Sequence, residues 1–99
     1  MTSLELLPEV KKWMYAISNA ADDEYVQTID ACVSDLRNAG VGITDLSDPL
    51  IQQAVKLYVK SQAGYEEQAE RFGEAYEHLK KSLAISYLYR EEEDEEEDE

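Results

Sequence analysis

Histidine and cysteine are the side chains that most often bind metal ions or act as nucleophiles, and this chain contains one of each, His78 and Cys32. The carboxylate-bridged metal sites of helical bundles need Glu-x-x-His on two helices, whereas here Glu74 precedes His78 by four residues and the pair occurs once. Without a second histidine or a serine in a glycine-flanked turn, no nucleophile can be paired with a base. We therefore expect His78 to be exposed on the polar side of a helix and to bind no metal.

Phosphate binding and acid–base catalysis also lack a basis in the sequence. The four glycines are scattered along the chain instead of being grouped in a phosphate-binding loop. The acidic residues fall on the polar faces of the predicted helices, which favours solvated carboxylates over a buried catalytic pair. We expect a protein that is not an enzyme and that uses no cofactor.

Cys32 lies among apolar residues in a helical stretch, which favours a buried small hydrophobic side chain over a reactive thiol. A single cysteine excludes an internal disulfide bond and fits a reducing compartment. The N-terminus has no basic segment followed by an apolar one, and no apolar run approaches the roughly 20 residues that span a bilayer. These features predict a soluble intracellular protein with no membrane partner.

The acidic charge is concentrated at the C-terminus. The formal net charge is −14, and residues 91–99 are nine consecutive carboxylates, so taking −9 from −14 leaves −5 for residues 1–90. No cluster of Lys or Arg lies on one predicted face, which argues against tight binding to nucleic acid phosphates, and we expect no sequence-specific binding to nucleic acid. Adjacent like charges with nothing apolar to bury predict that this tail is disordered.

Two amphipathic helices are predicted in the first half of the chain. Pro8 suits a first helical turn, so helix one should begin near it, after a looser lead-in over residues 2–7. Helix two is predicted over about residues 23–39, with Asp22 or Asp23 as its N-cap and Gly40 as the left-handed residue at its end. The apolar face of helix one is predicted to contain Leu7, Val10, Met14 and Ile17, and that of helix two Val26, Ile29, Val33 and Leu36.

Two further helices are predicted after a long loop over residues 41–47. Asp48 followed by Pro49 is typical of an N-cap and first helical position, and the helix after it should be the most buried one because it is apolar in nearly every direction. Gly64 separates it from the longest helix, in which Gly73 indicates a close backbone contact. The apolar face of helix four is predicted to contain Tyr65, Ala69, Phe72, Tyr76, Leu79 and Leu83.

The predicted fold is therefore all-α, a small bundle of four helices with a long loop between helices two and three and a disordered acidic C-terminal tail. We expect residues 1–87 to form the helical domain and residues 88–99 to form an extended segment followed by the tail. Residues 85–90 are rich in β-formers, so they are interpreted either as the frayed end of helix four or as a short strand.

Tyrosine is abundant, with seven residues in the chain. Tyr58, Tyr65 and Tyr76 fall on or near apolar faces, which is typical of rings at the edge of a core whose hydroxyl groups reach water. Others are explained equally well as interface residues, because tyrosine is enriched in protein contacts. The candidate partner-binding residues are Tyr25, Ile85, Tyr87, Leu88, Tyr89 and Arg90.

Several stretches resemble, in order and spacing, the small head–tail connector proteins of tailed bacteriophages, which are also described as DNA packaging proteins. The main stretch is Asp-Pro-Leu-Ile-Gln-Gln-Ala-Val-Lys-Leu-Tyr at residues 48–58. Residues 7–11, 22–24 and 76–84 agree with the layout of the family, and the resemblance covers about residues 4–87. The acidic tail departs from the family pattern.

The resemblance implies a virion protein, present in the host cytoplasm during assembly. It would form a ring of about twelve identical subunits, closed by head-to-tail contacts. The ring would lie beneath the phage portal protein, extend the DNA channel and offer a surface for the tail or a stopper protein. An acidic wall would let DNA slide through because it repels phosphates. As a hypothesis, residues 85–90 would add to the portal as a strand or hook.

Two rival functions remain open at this point. An acidic DNA mimic would block a DNA-binding enzyme, but it requires carboxylates spread over a folded face, whereas most here lie in the tail. A generic helical adaptor would use the tail to engage a basic partner. The tail could also hold copies of the chain apart by repulsion that salt would screen.

Overall fold

The computed structural model describes residues 1–63 and 66–90 of the chain. This part contains four helices, α1 (Ser3–Trp13), α2 (Asp22–Asn38), α3 (Pro49–Ala63) and α4 (Glu66–Ile85), with a long loop between α2 and α3. The predicted all-α bundle of four helices is confirmed. The prediction of a disordered acidic tail concerns residues 91–99, which lie outside the described residues.

Helix α1 begins earlier and ends earlier than the sequence pattern predicted. The Thr2 hydroxyl accepts a hydrogen bond from Glu5 N at 3.1 Å, and a Glu5 carboxylate oxygen accepts one from Thr2 N at 2.8 Å, which makes a capping box. This reciprocal cap starts the helix five residues before Pro8, which lies inside it. The chain leaves the helix after Trp13, and Ile17 is 98% exposed instead of lying on the buried face.

The ends of α2 agree with the prediction only in part. Its N-cap is Ala21, without a side-chain hydrogen bond, so neither Asp22 nor Asp23 is the cap. Both carboxylates lie in the first turn, where they still interact favourably with the positive end of the helix dipole. At the other end Gly40 has φ of 102°, which confirms the predicted left-handed residue.

Helix α3 is the centre of the bundle, as predicted. The Asp48 carboxylate accepts hydrogen bonds from Leu50 N at 2.8 Å and Ile51 N at 3.3 Å, which confirms the predicted N-cap. The helix packs against each of the other three helices. Its fully buried residues are Ile51, Ala54, Val55 and Val59.

Helices α3 and α4 run antiparallel, because Tyr58 meets Tyr76 and Ser61 lies beside Gly73. The rings of Tyr58 on α3 and Tyr76 on α4 meet edge to face, with centroids 4.9 Å apart. A Cβ atom at Gly73 would lie 3.7 Å from Ser61 Cβ, which is an ordinary contact, so the predicted close backbone approach at this glycine is wrong. The core around α3 is completed by Leu6, Val10, Ile29, Cys32, Leu36, Val41, Leu46, Tyr76 and Leu83.

Candidate partner-binding site

The chain after α4 turns back and pairs with the loop that follows α2. We call residues 85–90 the C-terminal hook. The Tyr89 carbonyl accepts hydrogen bonds from Gly42 N at 2.7 Å and Ile43 N at 3.2 Å, and Arg90 pairs with Val41 in an isolated antiparallel bridge. Within the hook, the Ser86 carbonyl accepts hydrogen bonds from the backbone of residues 89 and 90. The hook is thus a turn that is held by backbone hydrogen bonds within itself and with the loop after α2.

A side-chain contact fixes the hook to the start of α3. The Tyr89 hydroxyl lies 3.0 and 3.1 Å from the two carboxylate oxygens of Asp48. This hydrogen bond to Asp48, followed by partial burial and the negative charge of the carboxylate, raises the pKa of Tyr89 above its ordinary value. Asp48 therefore caps α3 and anchors the hook with the same carboxylate.

The anchored hook presents apolar side chains to solvent. Ile85, Tyr87 and Leu88 are 77%, 83% and 76% exposed, and the Arg90 guanidinium lies 5.3 Å from the centroid of the Tyr87 ring. Four of the six residues that the sequence indicated for partner binding, Ile85, Tyr87, Leu88 and Arg90, are exposed on the hook, whereas Tyr89 is half-buried against the core. The sixth, Tyr25, is half-buried against the core near the opposite end of α2.

A second exposed apolar surface lies where α1 ends and α2 begins, and the sequence pattern missed it. Tyr15 is 88% exposed and has φ of 55°, and Ile17 is 98% exposed. The signal that could have indicated it is the presence of Tyr15 and Ile17, two large apolar residues, just before the polar residues Ser18 and Asn19. We call this surface the corner groove; it is lined by Leu7, Pro8, Lys11, Lys12, Tyr15, Ala16, Ile17 and Asp22.

Two lysines give the corner groove its charge. Lys11 Nζ lies 2.9 Å from Asp22 Oδ1 and donates a hydrogen bond to Asn19, so it joins α1 to α2. Lys12 Nζ lies 3.4 Å from Glu9, and the Lys12 side chain is 73% exposed. Ion pairs this exposed contribute about 0–1 kcal/mol, so Lys12 can exchange Glu9 for another carboxylate at little cost.

A partly buried polar cluster joins α2 to α4 at the edge of the core. The Tyr76 hydroxyl donates a hydrogen bond to Asp35 at 2.7 Å, and Lys80 donates one to the same carboxylate oxygen at 2.8 Å. The Cys32 thiol lies 3.8 Å from the Tyr76 hydroxyl. Tyr76 is only 2% exposed, so the expectation that its hydroxyl reaches water is wrong; the hydroxyl bonds to Asp35 instead.

The cluster shifts the pKa values of its members. Burial would raise the pKa of Asp35, but the hydrogen bonds from Lys80 and Tyr76 and the charge of Lys80 outweigh it and lower that pKa. Burial, with the nearby thiol and carboxylate, raises the pKa of Tyr76. Burial raises the pKa of Cys32 to about 12, which agrees with the predicted inert, buried thiol.

The outer face of α4 is acidic. His78 is exposed there, as predicted, beside Lys81. Residues three or four apart lie on one face of a helix, so the exposed carboxylates of this face form a row along the axis. They are Glu67, Glu70, Glu74 and Glu77.

These observations define a small helical protein that presents anchored apolar contact surfaces and an acidic face. The sequence model of the family described as phage connector protein matches residues 6–90. The chain therefore belongs to the phage connector protein family, which confirms the resemblance found in the sequence. The match includes the hook and the corner groove and stops before the acidic tail.

No curated protein and no solved structure matches the chain. Among the described helices, none has the length and apolar character needed to cross a membrane.

Proposed function

We propose that this connector protein is a non-enzymatic structural subunit of the virion that joins the phage head to the tail. In this proposal, identical copies form a ring beneath the portal protein, extend the DNA channel and offer a surface to the tail or a stopper protein. The ring assembles in the host cytoplasm and stays at the head–tail interface. Family membership over residues 6–90 supports the connector role, and the surfaces of the bundle support the assembly.

The observation that carries the proposal is the presence of two different apolar surfaces on one small domain. The hook follows α4 and pairs with the chain beyond the C-terminal end of α2, whereas the corner groove includes Asp22, the first residue of α2. Exposed apolar surfaces held in place by hydrogen bonds and ion pairs are typical of protein interaction sites. A subunit that joins several neighbours needs more than one such surface.

Of the two modes of portal contact in the hypothesis from the sequence, a strand or a hook, the backbone pairing of residues 85–90 supports the hook. Strand addition needs unpaired backbone groups, but the Tyr89 carbonyl and the amide groups of residues 89 and 90 are already paired within the chain. A partner would therefore meet the hook through side chains. Tyr87 and Leu88 offer the aromatic and aliphatic area that commonly anchors an interface.

The acidic face of α4 is the surface we assign to the DNA channel. Four exposed carboxylates in a row repel phosphates, although Lys80 pairs with Glu77 at 3.0 Å and the exposed residues Arg71, His78 and Lys81 lie beside the row. A wall of this sign keeps passing DNA mobile. It does not read base sequence, because base recognition needs donors and acceptors placed in a groove.

The test of the proposal is the mass of the full-length chain by multi-angle light scattering, alone and mixed with purified portal rings of a tailed phage. A closed oligomer, or a portal complex of fixed stoichiometry, is expected. A second arm adds a basic DNA-binding protein with bound DNA. A chain that ignores portal rings, stays monomeric and displaces DNA would overturn the connector assembly and favour the DNA-mimic function, for which the acidic face of α4 would be the binding surface.

A further inference from the structure

We infer that the hook of one copy docks into the corner groove of the next copy, so that these two surfaces form the head-to-tail contact between subunits. This inference rests on the proposed ring and names the occupant of both surfaces. Within residues 1–63 and 66–90, no other part of the chain covers either surface, and both are built from side chains of the type that anchor interfaces.

Geometry excludes contact between the two surfaces within one molecule. The corner groove contains Asp22 at the N-terminal end of α2, and the hook is paired with residues 41–43 beyond its C-terminal end. A helix of 17 residues with a rise of about 1.5 Å per residue separates them by roughly 25 Å. The hook can therefore reach only the groove of another copy. Because the two surfaces differ, the contact is heterologous and repeats around a ring.

The two surfaces are complementary in chemistry. The groove offers the Tyr15 ring, the Ile17 side chain and the ring of Pro8, and the hook offers Tyr87 and Leu88. Docking removes these apolar groups from water, at about 25 cal/mol for each Å² buried. An aromatic side chain on each side gives the contact a rigid anchor.

Charge favours the same arrangement and fixes its direction. The hook is followed at once by the nine carboxylates of residues 91–99, and the groove carries Lys11 and the exposed Lys12. Arg90 adds one positive charge to the hook itself, so in this inference the opposite charge for the lysines comes from the acidic sequence that follows Arg90. Asp22 and Glu9 neutralise part of the positive charge of the lysines, so the apolar contact supplies most of the affinity and the charge supplies orientation.

The experiment compares Ile17→Asp in the groove with Leu88→Asp in the hook, both in the full-length chain. Each variant is expected to stay monomeric at concentrations where the natural chain associates, with association weakened about tenfold or more. Ala31→Asp is the matched control, because Ala31 is exposed in the middle of α2, away from both surfaces, and it should associate normally. Circular dichroism verifies that all three remain helical.

A mixture of the two defective variants gives the sharper result. The Ile17→Asp chain keeps an intact hook and the Leu88→Asp chain keeps an intact groove, so an equimolar mixture should form a dimer and nothing larger. Disulfide trapping gives a second readout: a chain with Ile17→Cys mixed with one carrying Leu88→Cys should form a cross-linked pair, and the native Cys32 is buried and does not compete.

Two outcomes would overturn the inference. One is unchanged association of Ile17→Asp and Leu88→Asp; the other is a natural chain that stays monomeric and gives no cross-link. A measurement of binding to portal rings shows whether only the hook-to-groove contact is wrong or whether the proposed connector function is wrong as well. If Leu88→Asp abolishes binding to portal rings while association between copies is unchanged, the hook contacts the portal, the connector function stands and the subunit contact lies elsewhere.

Discussion

At the scale of single residues, Cys32 shows how burial controls reactivity. Its pKa is raised to about 12, chiefly by burial, so almost no thiolate exists at neutral pH. We expect the native protein to react with an aromatic disulfide reagent at least about a hundredfold more slowly than the same chain in denaturant. Absorbance of the released thiol measures both rates. A Cys32→Ala, Leu88→Cys double variant, with its thiol on the exposed hook, should react fast when native; fast reaction of native Cys32 would contradict its burial.

Asp35 makes stability depend on pH in a predictable direction. Its pKa is lowered in the folded protein, so its ion pair stabilises the fold above the ordinary carboxyl pKa and loses this effect as the pH falls through the lowered value. Asp35→Asn should therefore unfold more easily at about pH 7, and the difference from the natural chain should shrink towards about pH 3. Urea unfolding at each pH measures it. Asp30→Asn, at an exposed carboxylate whose partner is the neutral Ser3, is the control.

The sequence predicted the buried position of these residues but not their partners. Cys32 and Tyr76 lie on apolar faces that helical spacing reveals, and both are buried. The hydrogen bond from Tyr76 to Asp35 joins residues 41 positions apart, and no local pattern indicates which carboxylate will face a given ring. Helix periodicity fixes the face on which a residue lies, whereas helix packing decides what that face meets.

At the scale of helices and turns, a glycine at a helix end and a glycine inside a helix have opposite effects on stability. Gly40 has φ of 102°, which side chains with a Cβ rarely adopt, and Gly73 lies within α4 with ordinary space around it. Gly40→Ala should lower the free energy of unfolding by about 1 kcal/mol or more. Gly73→Ala should raise it by up to about 1 kcal/mol, because alanine favours the helix. Thermal unfolding of both variants compares them, and equal effects would contradict the assigned roles.

Asp48 couples the start of α3 to the hook through one carboxylate. Asp48→Ala removes the N-cap of α3 and the acceptor for the Tyr89 hydroxyl, and it should cost about 1–3 kcal/mol. Tyr89→Phe removes only the hydroxyl contact and should cost less. If the two groups interact as the structure shows, the double variant should cost less than the sum of the single variants. Strictly additive costs from urea unfolding would mean that the hook is not anchored there.

The boundaries of the helices show which sequence signals determine a helix end when two signals predict different ends. Proline is favoured in a first turn, but the Thr2 and Glu5 capping box satisfies two backbone amides and starts α1 earlier. The apolar residue Ile17 continues the helical spacing, yet the chain has already turned at Tyr15. At Asp48 and Pro49 the N-cap and the proline both predict the same helix start, and the start of α3 at Pro49 was predicted correctly.

At the scale of the whole molecule, the number and order of the helices were predictable because each has its own apolar face and stop signal. The surfaces that meet partners were predictable only in part. The hook was indicated by its composition, whereas the corner groove depends on where α1 ends and on how Lys11 joins Asp22. A surface assembled from two elements is visible only after they pack.

In the inferred assembly the acidic tail would act in two opposed ways, and a pair of charge reversals separates them. Every copy carries nine tail carboxylates, which would repel those of other copies, while docking of the hook would bring acidic sequence towards Lys12 of the neighbouring copy. Lys12→Glu and Lys81→Glu change the net charge equally, and Lys81 lies on the acidic face of α4, away from the groove. Sedimentation equilibrium at low salt should show Lys12→Glu weakening association several-fold more than Lys81→Glu.

The same comparison in a chain that ends at Arg90 tests whether the tail is the partner of Lys12. Removal of residues 91–99 lowers the charge repulsion between copies equally in both variants. It also removes the acidic residues that Lys12 is inferred to contact. Lys12→Glu and Lys81→Glu should then weaken association to the same degree, and added salt should reduce the difference between them in the full-length chain. A difference that persists in the shortened chain would mean that Lys12 binds a carboxylate of the folded body, and the tail would be left with repulsion as its only effect on assembly.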